Sequence, residues 1–300
     1  MRVAFFGTPI EAVPFLDVLN ASGNSVVCVV TQPPRRRARR SSDDVSPVHE
    51  RASELGVPVV TPADRASLIA SVAPLEIDLA LVVAYGRIIP PDLLARARYV
   101  NVHFSKLPRW RGAAPVERAL LSGDELTAVA LMDMEEGLDT GGILAECEVE
   151  IMSNMTTGSL KAQLVQEGCR LLEQHLSELS TLRARAQVGE STYAAKLEIE
   201  EFRVTRDRTM TEIDRMVRAG TPRPGAFFEV GGQRIKLWSV ERSASRDCQT
   251  GFIEMVDHQV MLGASDGALE IRELQAGGKA RMDAASWWRG LNTSRIELSQ

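Results

Sequence analysis

The sequence predicts an α/β chain: a Rossmann-like, mostly parallel sheet with helices on both faces, followed by a small C-terminal β-barrel of OB-like type. Three observations point there. Strand-like and helix-like segments alternate through the first half, the pattern of stacked βαβ units. The strand-like runs in that half are near-continuous Val, Ile and Leu rather than alternating apolar and polar, as expected of strands buried on both faces. After about residue 200 the texture changes to short strands divided by turn signals. The 300 residues suffice for two ordinary domains. The expected division is a Rossmann-like domain over residues 1–186, a linker over 187–203 and an OB-like domain over 204–300.

RVAFFG at 2–7 reads as a buried strand, and a helix over 9–23 follows, closed by Gly23, with Pro14 to be accommodated in its first turns. SVVCVVT at 25–31 is the second strand. Residues 46–56 form a helix with Ser46 as N-cap, Pro47 at its first position and Gly56 as its stop. VPVV at 57–60, DLALVVAYG at 78–86 and YVNVHF at 99–104 are strands, and residues 112–123 a helix. Strands at 126–134 and 143–151 precede a long amphipathic helix from about 157 to 180, with Leu160, Leu164, Leu171, Leu172 and Leu176 at helical spacing. Residues 181–199 lose periodicity and read as a connector. Beyond a short helix at 209–220, strand-like runs appear at 226–241, broken by Gly231-Gly232, and at 251–256, 259–264 and 268–274.

Bulk composition excludes several classes. Hydrophobic content of 44% and charged content of 25% are those of an average globular protein. The first apolar run breaks at Gly7-Thr8-Pro9, too short for a signal-peptide core, and no later run approaches the ~18 apolar residues of a membrane span, so the chain reads as cytoplasmic. The four cysteines lie far apart without a Cys-x-x-Cys pair, which argues against a disulfide framework or a structural zinc; Cys28, within VVCVV, reads as buried. Net charge is −5, divided as −6 over residues 1–200 and +1 over 201–300, so overall charge does not announce nucleic-acid binding.

Charge is nevertheless clustered locally. Arg35, Arg36, Arg37, Arg39 and Arg40 follow Pro33-Pro34, which block a helix, so the segment projects as a loop just after the second strand. Two readings stand: a solvated charge run, or a phosphate-contacting loop, since arginine forks suit phosphate. The turn after the first strand, FFGTP, has Gly7 alone of the Gly-x-Gly-x-x-Gly fingerprint, and Pro9 lacks an N–H, which argues against a nicotinamide or flavin cofactor.

The densest chemistry lies in NVHFSKLPRWRGAAPV at 101–116. Residues two apart on a strand share a face, so Asn101 and His103 project together. A carboxamide and an imidazole side by side can donate hydrogen bonds to a developing oxyanion. MEEGLDTGGI at 134–143 then brings acids into a Gly-rich loop. An acid turned inward there would fix the tautomer of His103 and stabilise its imidazolium. Residue chemistry by itself does not rank Glu135, Glu136 and Asp139, and Asp139 can equally cap a turn.

These residues resemble the folate-dependent formyltransferases. The likeness rests on Asn101-Val-His103, on Ser105-Lys-Leu-Pro108, on Arg109-Trp-Arg-Gly-Ala-Ala-Pro115 and on Glu136-Gly-Leu-Asp139-Thr-Gly141. Further matches, Gly7–Pro9, Thr31–Pro33, Ser46–Val48, Val82–Gly86, Thr221–Phe227 and Leu274–Lys279, run in order along nearly the whole chain and favour the branch that formylates methionyl initiator tRNA. The resemblance implies a formyl group moved from 10-formyltetrahydrofolate, as co-substrate, to the amino group of methionine on that tRNA, by a cytoplasmic monomer that needs no metal. It maps the catalytic trio onto Asn101, His103 and Asp139, and folate contacts onto Ser105, Lys106, Leu107, Pro108, Tyr85 and Gly86. It maps tRNA acceptor-stem contacts onto Arg35, Arg36, Arg37, Arg39, Arg40, Lys279 and Arg281. Two departures stand out. Lys106 occupies a slot that is commonly leucine and can reach a folate tail or solvent, and the loop's basic charge has moved towards Arg35–Arg37. A sugar-nucleotide N-formyltransferase, which uses the same donor, is the rival reading.

Overall fold

The computed structural model describes residues 1–34, 45–243, 248–291 and 293–298. The chain divides into two compact units. The first comprises Met1–Pro115, Leu126–Glu150 and Lys161–Ala195. Its strands are β1 (Arg2–Gly7), β2 (Ser25–Val30), β3 (Val59–Val60), β4 (Leu79–Val83), β5 (Arg98–His103), the two-residue β6 (Arg111–Gly112), β7 (Leu126–Asp133) and β8 (Ile143–Glu150). Seven of them form one sheet in the order β3-β2-β1-β4-β5-β7-β8, parallel as far as β5 and antiparallel at β7 and β8. The mostly parallel Rossmann-like sheet is therefore present. Every residue of β4 is buried, and so are Val3 to Phe6 of β1, which is why these runs carry no polar alternation. Cys28 is part of this core, its thiol pushed up to about 11 by burial.

The helices of this unit are α1 (Val13–Ala21), α2 (Pro47–Glu54), α3 (Arg65–Val72), α4 (Pro91–Leu94) and most of α6 (Thr157–His175), while α5 (Pro115–Ser122) falls almost wholly in the second unit. The helix expected from residue 9 begins regularly only at Val13, behind a 3-10 turn at Ile10–Ala12. The reason is Pro14, which has no N–H to give and is tolerated only in a first turn. Ser46 caps α2 as its motif predicts, its hydroxyl accepting from the His49 N–H at 3.1 Å. The apolar pattern does not announce α3. A reciprocal capping box between Asp64 and Ser67 starts it, and it buries only Leu68 and Val72. α6 ends at His175, short of the expected residue 180.

The second unit comprises Val116–Glu125, Ile151–Leu160 and Lys196–Gln300. Strands β10 (Ala226–Val230), β11 (Gln233–Arg242), β12 (Phe252–Val256), β13 (Gln259–Ala264), β14 (Gly267–Ala276) and β16 (Arg295–Glu297) form a nearly closed, barrel-like antiparallel sheet in the order β10-β11-β14-β13-β12-β16; β15 (Met282–Asp283) pairs with β14. Helix α7 (Met210–Gly220) begins at a Thr209/Glu212 capping box and buries Ile213, Met216 and Val217. Helix α8 (Ala284–Arg289), capped by Asp283, places Trp287 edge-on to Phe228 with ring centroids 6.1 Å apart. A forked ion pair from Arg118 on α5 to Glu201, at 2.5 and 3.0 Å, joins two distant segments of this unit.

The connector is bonded along its length. Arg185 makes a two-way backbone bridge with Ile143, at 2.8 and 2.9 Å. β9 (Tyr193–Ala194) pairs in parallel with β6. Phe202, in a 3-10 turn at Ile199–Phe202, is fully buried. Hydrophobic periodicity could not reveal this, because strand pairs of two residues carry no period.

Candidate active site

The order β3-β2-β1-β4-β5 makes the chain run outward one way from β1 and return to the other side at β4. The crevice outside the carboxyl ends of β1 and β4 is then the topological switch point, where open parallel sheets bind ligands. The loops leaving those strands carry Thr8-Pro9 and Ala84-Tyr85-Gly86, with Ala84 at φ 47° and Gly86 at φ 76°. The Tyr85 carbonyl ties them together by accepting from Thr8 Oγ1 at 3.3 Å and from Gln32 Nε2 at 2.9 Å.

Next to β4 lies β5, whose Asn101 and His103 share a face. Its antiparallel neighbour β7 pairs Met132 with Asn101 and Asp133 with Val100, so the β7–β8 connection starts level with the middle of β5. To bring an acid to His103 the connection must double back. It does so through Asp139, held at φ 51°, a left-handed conformation that a non-glycine residue adopts only at some cost. Gly141 is required by the same turn: a Cβ there would stand 1.7 Å from the Asp133 carbonyl oxygen. Asp139 is thereby singled out from Glu135 and Glu136, which remain exposed.

Asp139 Oδ2 accepts from the Gly112 N–H at 2.8 Å and lies 3.7 Å from His103 Nδ1; Oδ1 lies 3.4 Å from Asn101 Nδ2. The His103 and Asp139 side chains are 6% and 13% exposed, so their attraction is screened far less than a surface pair's. His103 Nε2 is 3.0 Å from the Trp110 carbonyl oxygen, which can only accept, so Nε2 carries a hydrogen. In the neutral ring Nδ1 is then the open nitrogen, turned towards the carboxylate. The site thus offers one fixed N–H bond, one proton-accepting nitrogen beside a carboxylate, and an amide with a second N–H to spare.

The neighbouring loop, residues 104–114, is shaped from inside. Ser105 is fully buried and its hydroxyl donates to the Arg109 carbonyl at 2.6 Å, so its side chain holds the turn instead of facing a ligand. Leu107 packs with Ala130, Met132 and Ile143, and Pro108 is buried. Lys106 turns to Glu148 on β8, Nζ to Oε1 2.5 Å, in an exposed ion pair. Tyr85 also belongs to the core, its ring edge-on to Phe6; burial pushes its phenol up, with a smaller opposing pull from Arg87. Of the residues expected to touch folate, then, Ser105, Leu107 and Tyr85 turn their side chains into the protein, and Gly86 has no side chain. A Cβ on Gly86 would meet Gln32 Nε2 at 2.7 Å.

Arg35, Arg36, Arg37, Arg39 and Arg40 lie outside the described residues. Lys279 and Arg281 are exposed after β14, Arg281 stacking over the Trp238 ring at 3.9 Å with Lys236 Nζ 5.6 Å from the same ring. Lys236 and Trp238 are missing from the sequence-based site, although their spacing of two on a strand and their aromatic–cation pairing were visible in KLW. Also missing are Trp110 and Gly112, which act through their backbones, and Gln187, whose partners are 46 to 76 positions away. Among the described residues no group of three His, Cys, Asp or Glu is placed to hold a metal ion, and no helix is long and apolar enough to cross a membrane.

A profile for formyl transferases matches residues 1–176, and one for the formyl transferase C-terminal domain matches residues 196–292. The chain belongs to the formyl transferase family. Among formyl transferases it is 40% identical over 295 residues to the methionyl-tRNA formyltransferase of Ruegeria pomeroyi, with 97% of each chain covered. The enzyme of that name from Rhizorhabdus wittichii is 42% identical, with 97% of this chain and 95% of the relative covered. The fold recurs in HypX from Aquifex aeolicus, solved with tetrahydrofolic acid, at TM-score 0.69 and 17% identity; all of this formyl transferase is covered, and half of HypX. It recurs also in an N-formyltransferase from Helicobacter canadensis, solved with folinic acid and dTDP-3-aminofucose, at TM-score 0.68 and 19% identity, with 90% of this chain and 98% of that one covered.

Proposed function

We propose that the chain transfers the formyl group of 10-formyltetrahydrofolate to the α-amino group of methionine on initiator tRNA, as a cytoplasmic monomer. The observation that carries this is end-to-end identity of 40–42% with methionyl-tRNA formyltransferases, in a chain that juxtaposes Asn101, His103 and Asp139. The residues fit the donor. Exposed Ile10 and Ile88, on the loops after β1 and β4, and exposed Leu138, beside Asp139, offer apolar surface to a flat heterocycle. Backbone groups at 84–86 and along 105–110 supply shape and polar contacts.

10-Formyltetrahydrofolate, when bound, supplies an electrophilic formyl carbon. Asn101 holds one Nδ2 hydrogen near Asp139 and aims the other at the formyl oxygen, where negative charge grows as the amine attacks. His103, with Nε2–H fixed on the Trp110 carbonyl, takes the amine's proton at Nδ1. The resulting imidazolium is held by Asp139 at 3.7 Å, and its Nδ1–H returns the proton to the folate nitrogen as the bond between that nitrogen and the formyl carbon breaks and tetrahydrofolate leaves. In this reading His103 is first a base and only then a donor. Phosphates of the acceptor stem are met by Arg35, Arg36, Arg37, Arg39 and Arg40, and by Lys236, Lys279 and Arg281 around Trp238 on the barrel.

The test is a choice of acceptors. With 10-formyltetrahydrofolate present, formyl should appear on methionyl initiator tRNA and not on a dTDP-linked amino sugar. Formylation of the sugar alone would overturn the reading.

A further inference from the structure

Gln187 lies in the connector, a stretch in which sequence periodicity shows nothing, yet its carboxamide is used at both ends. Its Nε2 donates to the Asp139 carbonyl and to the Gly141 carbonyl, each at 2.8 Å. Its Oε1 accepts from Arg111 Nε at 3.1 Å and from Arg111 Nη2 at 2.6 Å. Those partners belong to two separate segments. One is the doubled-back turn whose Asp139 sits at φ 51°; the other is the Arg111-Gly112 step, whose Gly112 N–H donates to Asp139 Oδ2 at 2.8 Å. A single amide thus holds the backbone that presents the carboxylate and the side chain of Arg111, the residue before the glycine whose N–H the carboxylate accepts.

The rest of the connector is bonded to residues 110–113 as well. Thr192 Oγ1 accepts from the Trp110 N–H at 2.9 Å, and the Thr192 carbonyl accepts from the Arg111 N–H at 2.9 Å. Ala194 bonds to Ala113, and a Cβ on Gly112 would stand 2.8 Å from the Ala194 carbonyl oxygen, so the two backbones meet where only glycine fits. Trp110 and Asp139, the residues that contact the two nitrogens of His103, are both non-glycine residues at positive φ, 62° and 51°. Such conformations persist only where surroundings over-determine them. Around Asp139 those surroundings are Gln187.

We propose that Gln187 is a positioning residue for formyl transfer, orienting the Asp139 carboxylate against His103 by tying the 139–141 backbone to the Arg111 side chain, next to the Gly112 N–H from which Asp139 accepts. This rests on the formyl-transfer reading for its consequence, though not for its geometry. A displacement of about 1 Å in such a constellation costs on the order of 10²-fold in rate.

Gln187→Glu separates the clamp from mere packing. Glutamate keeps the acceptor for Arg111 and the side-chain volume but has no N–H for the two carbonyls. Steady-state kinetics should show kcat falling about 10²-fold, with the KM for folate and for tRNA each within about threefold of the unaltered protein. Because Gln187 acts through Asp139, the same change made in Asp139→Asn protein should cost less than about threefold more. An equal loss in both backgrounds, a rise in KM alone, or no loss would overturn the proposal. A crystal structure of Gln187→Glu protein decides the geometry without turnover: Asp139 Oδ2 should leave hydrogen-bond range of the Gly112 N–H, and an unchanged 2.8 Å contact would overturn the clamp. If the unaltered protein does not formylate methionyl-tRNA, the functional reading fails by itself and the crystallographic result still judges the clamp.

Discussion

Asn101 and His103 reach the site by one physical route and Asp139 by another. Strand alternation is a local property, so the shared face of Asn101 and His103 was legible two residues at a time. Asp139 was legible only as one of three acids, because the chain reversal that selects it depends on the register of β7 against β5. Lys106 and Ser105 illustrate what local reading misses. Which way a loop side chain turns is decided by its partners, here distant Glu148 for the lysine and the Arg109 carbonyl of the same turn for the serine. The role assigned to Asn101 is a donor whose loss is felt mainly in the transition state. Asn101→Ala should therefore lower kcat by about 10²–10³-fold while leaving tRNA affinity unchanged. A variant that binds tRNA more weakly but turns over at the normal rate would contradict that role, and paired kinetics and equilibrium titrations distinguish the two.

The unbroken apolar runs of β1 and β4 and the helical periodicity of α6 and α7 were visible in advance because each buries one continuous set of apolar residues. α3 was not, since it buries two residues and starts on a capping box, nor was the connector, whose strength is hydrogen bonding and not burial. The β7–β8 turn belongs to the same class: its shape follows from glycines and backbone approach. Gly141→Ala puts a methyl 1.7 Å from the Asp133 carbonyl oxygen, a backbone atom that cannot give way without disturbing β7. Formyl transfer should fall at least as far as for Asp139→Asn, by about 10²-fold or more, because the whole turn is displaced. Circular dichroism should show the sheet retained. Normal turnover in Gly141→Ala protein would show that the doubled-back turn does not present the acid.

At the scale of the whole molecule the succession of a mostly parallel sheet and a barrel-like one was legible from the change of texture, and neither the two earlier segments that join the second unit nor the ion pairs that tie distant segments together were. Arg118 and Glu201 are the example, 83 positions apart. The Arg118 hydrogen bond, with a smaller contribution from the Glu198 N–H, holds the Glu201 carboxyl below the usual carboxylate range, against the opposing effect of burial. A folded-state value lower than the unfolded one adds stability above the ordinary carboxylate range, and that stability disappears as pH falls through the lowered value. Arg118→Ala should therefore bring on acid unfolding at a higher pH than in the unaltered protein; an unmoved acid midpoint would show that the pair contributes nothing. Function at this scale depends on whether a tRNA bound through the basic segments is delivered to the Asn101–His103–Asp139 site. The most direct measurement is single-turnover formyl transfer to methionyl initiator tRNA by unaltered and His103→Gln protein, with tRNA affinity measured alongside. The account predicts rapid transfer by the unaltered protein, transfer slower by about 10²–10⁴-fold in the variant, and equal tRNA affinity in both. Full-rate transfer by His103→Gln protein, or none by the unaltered chain, would contradict it.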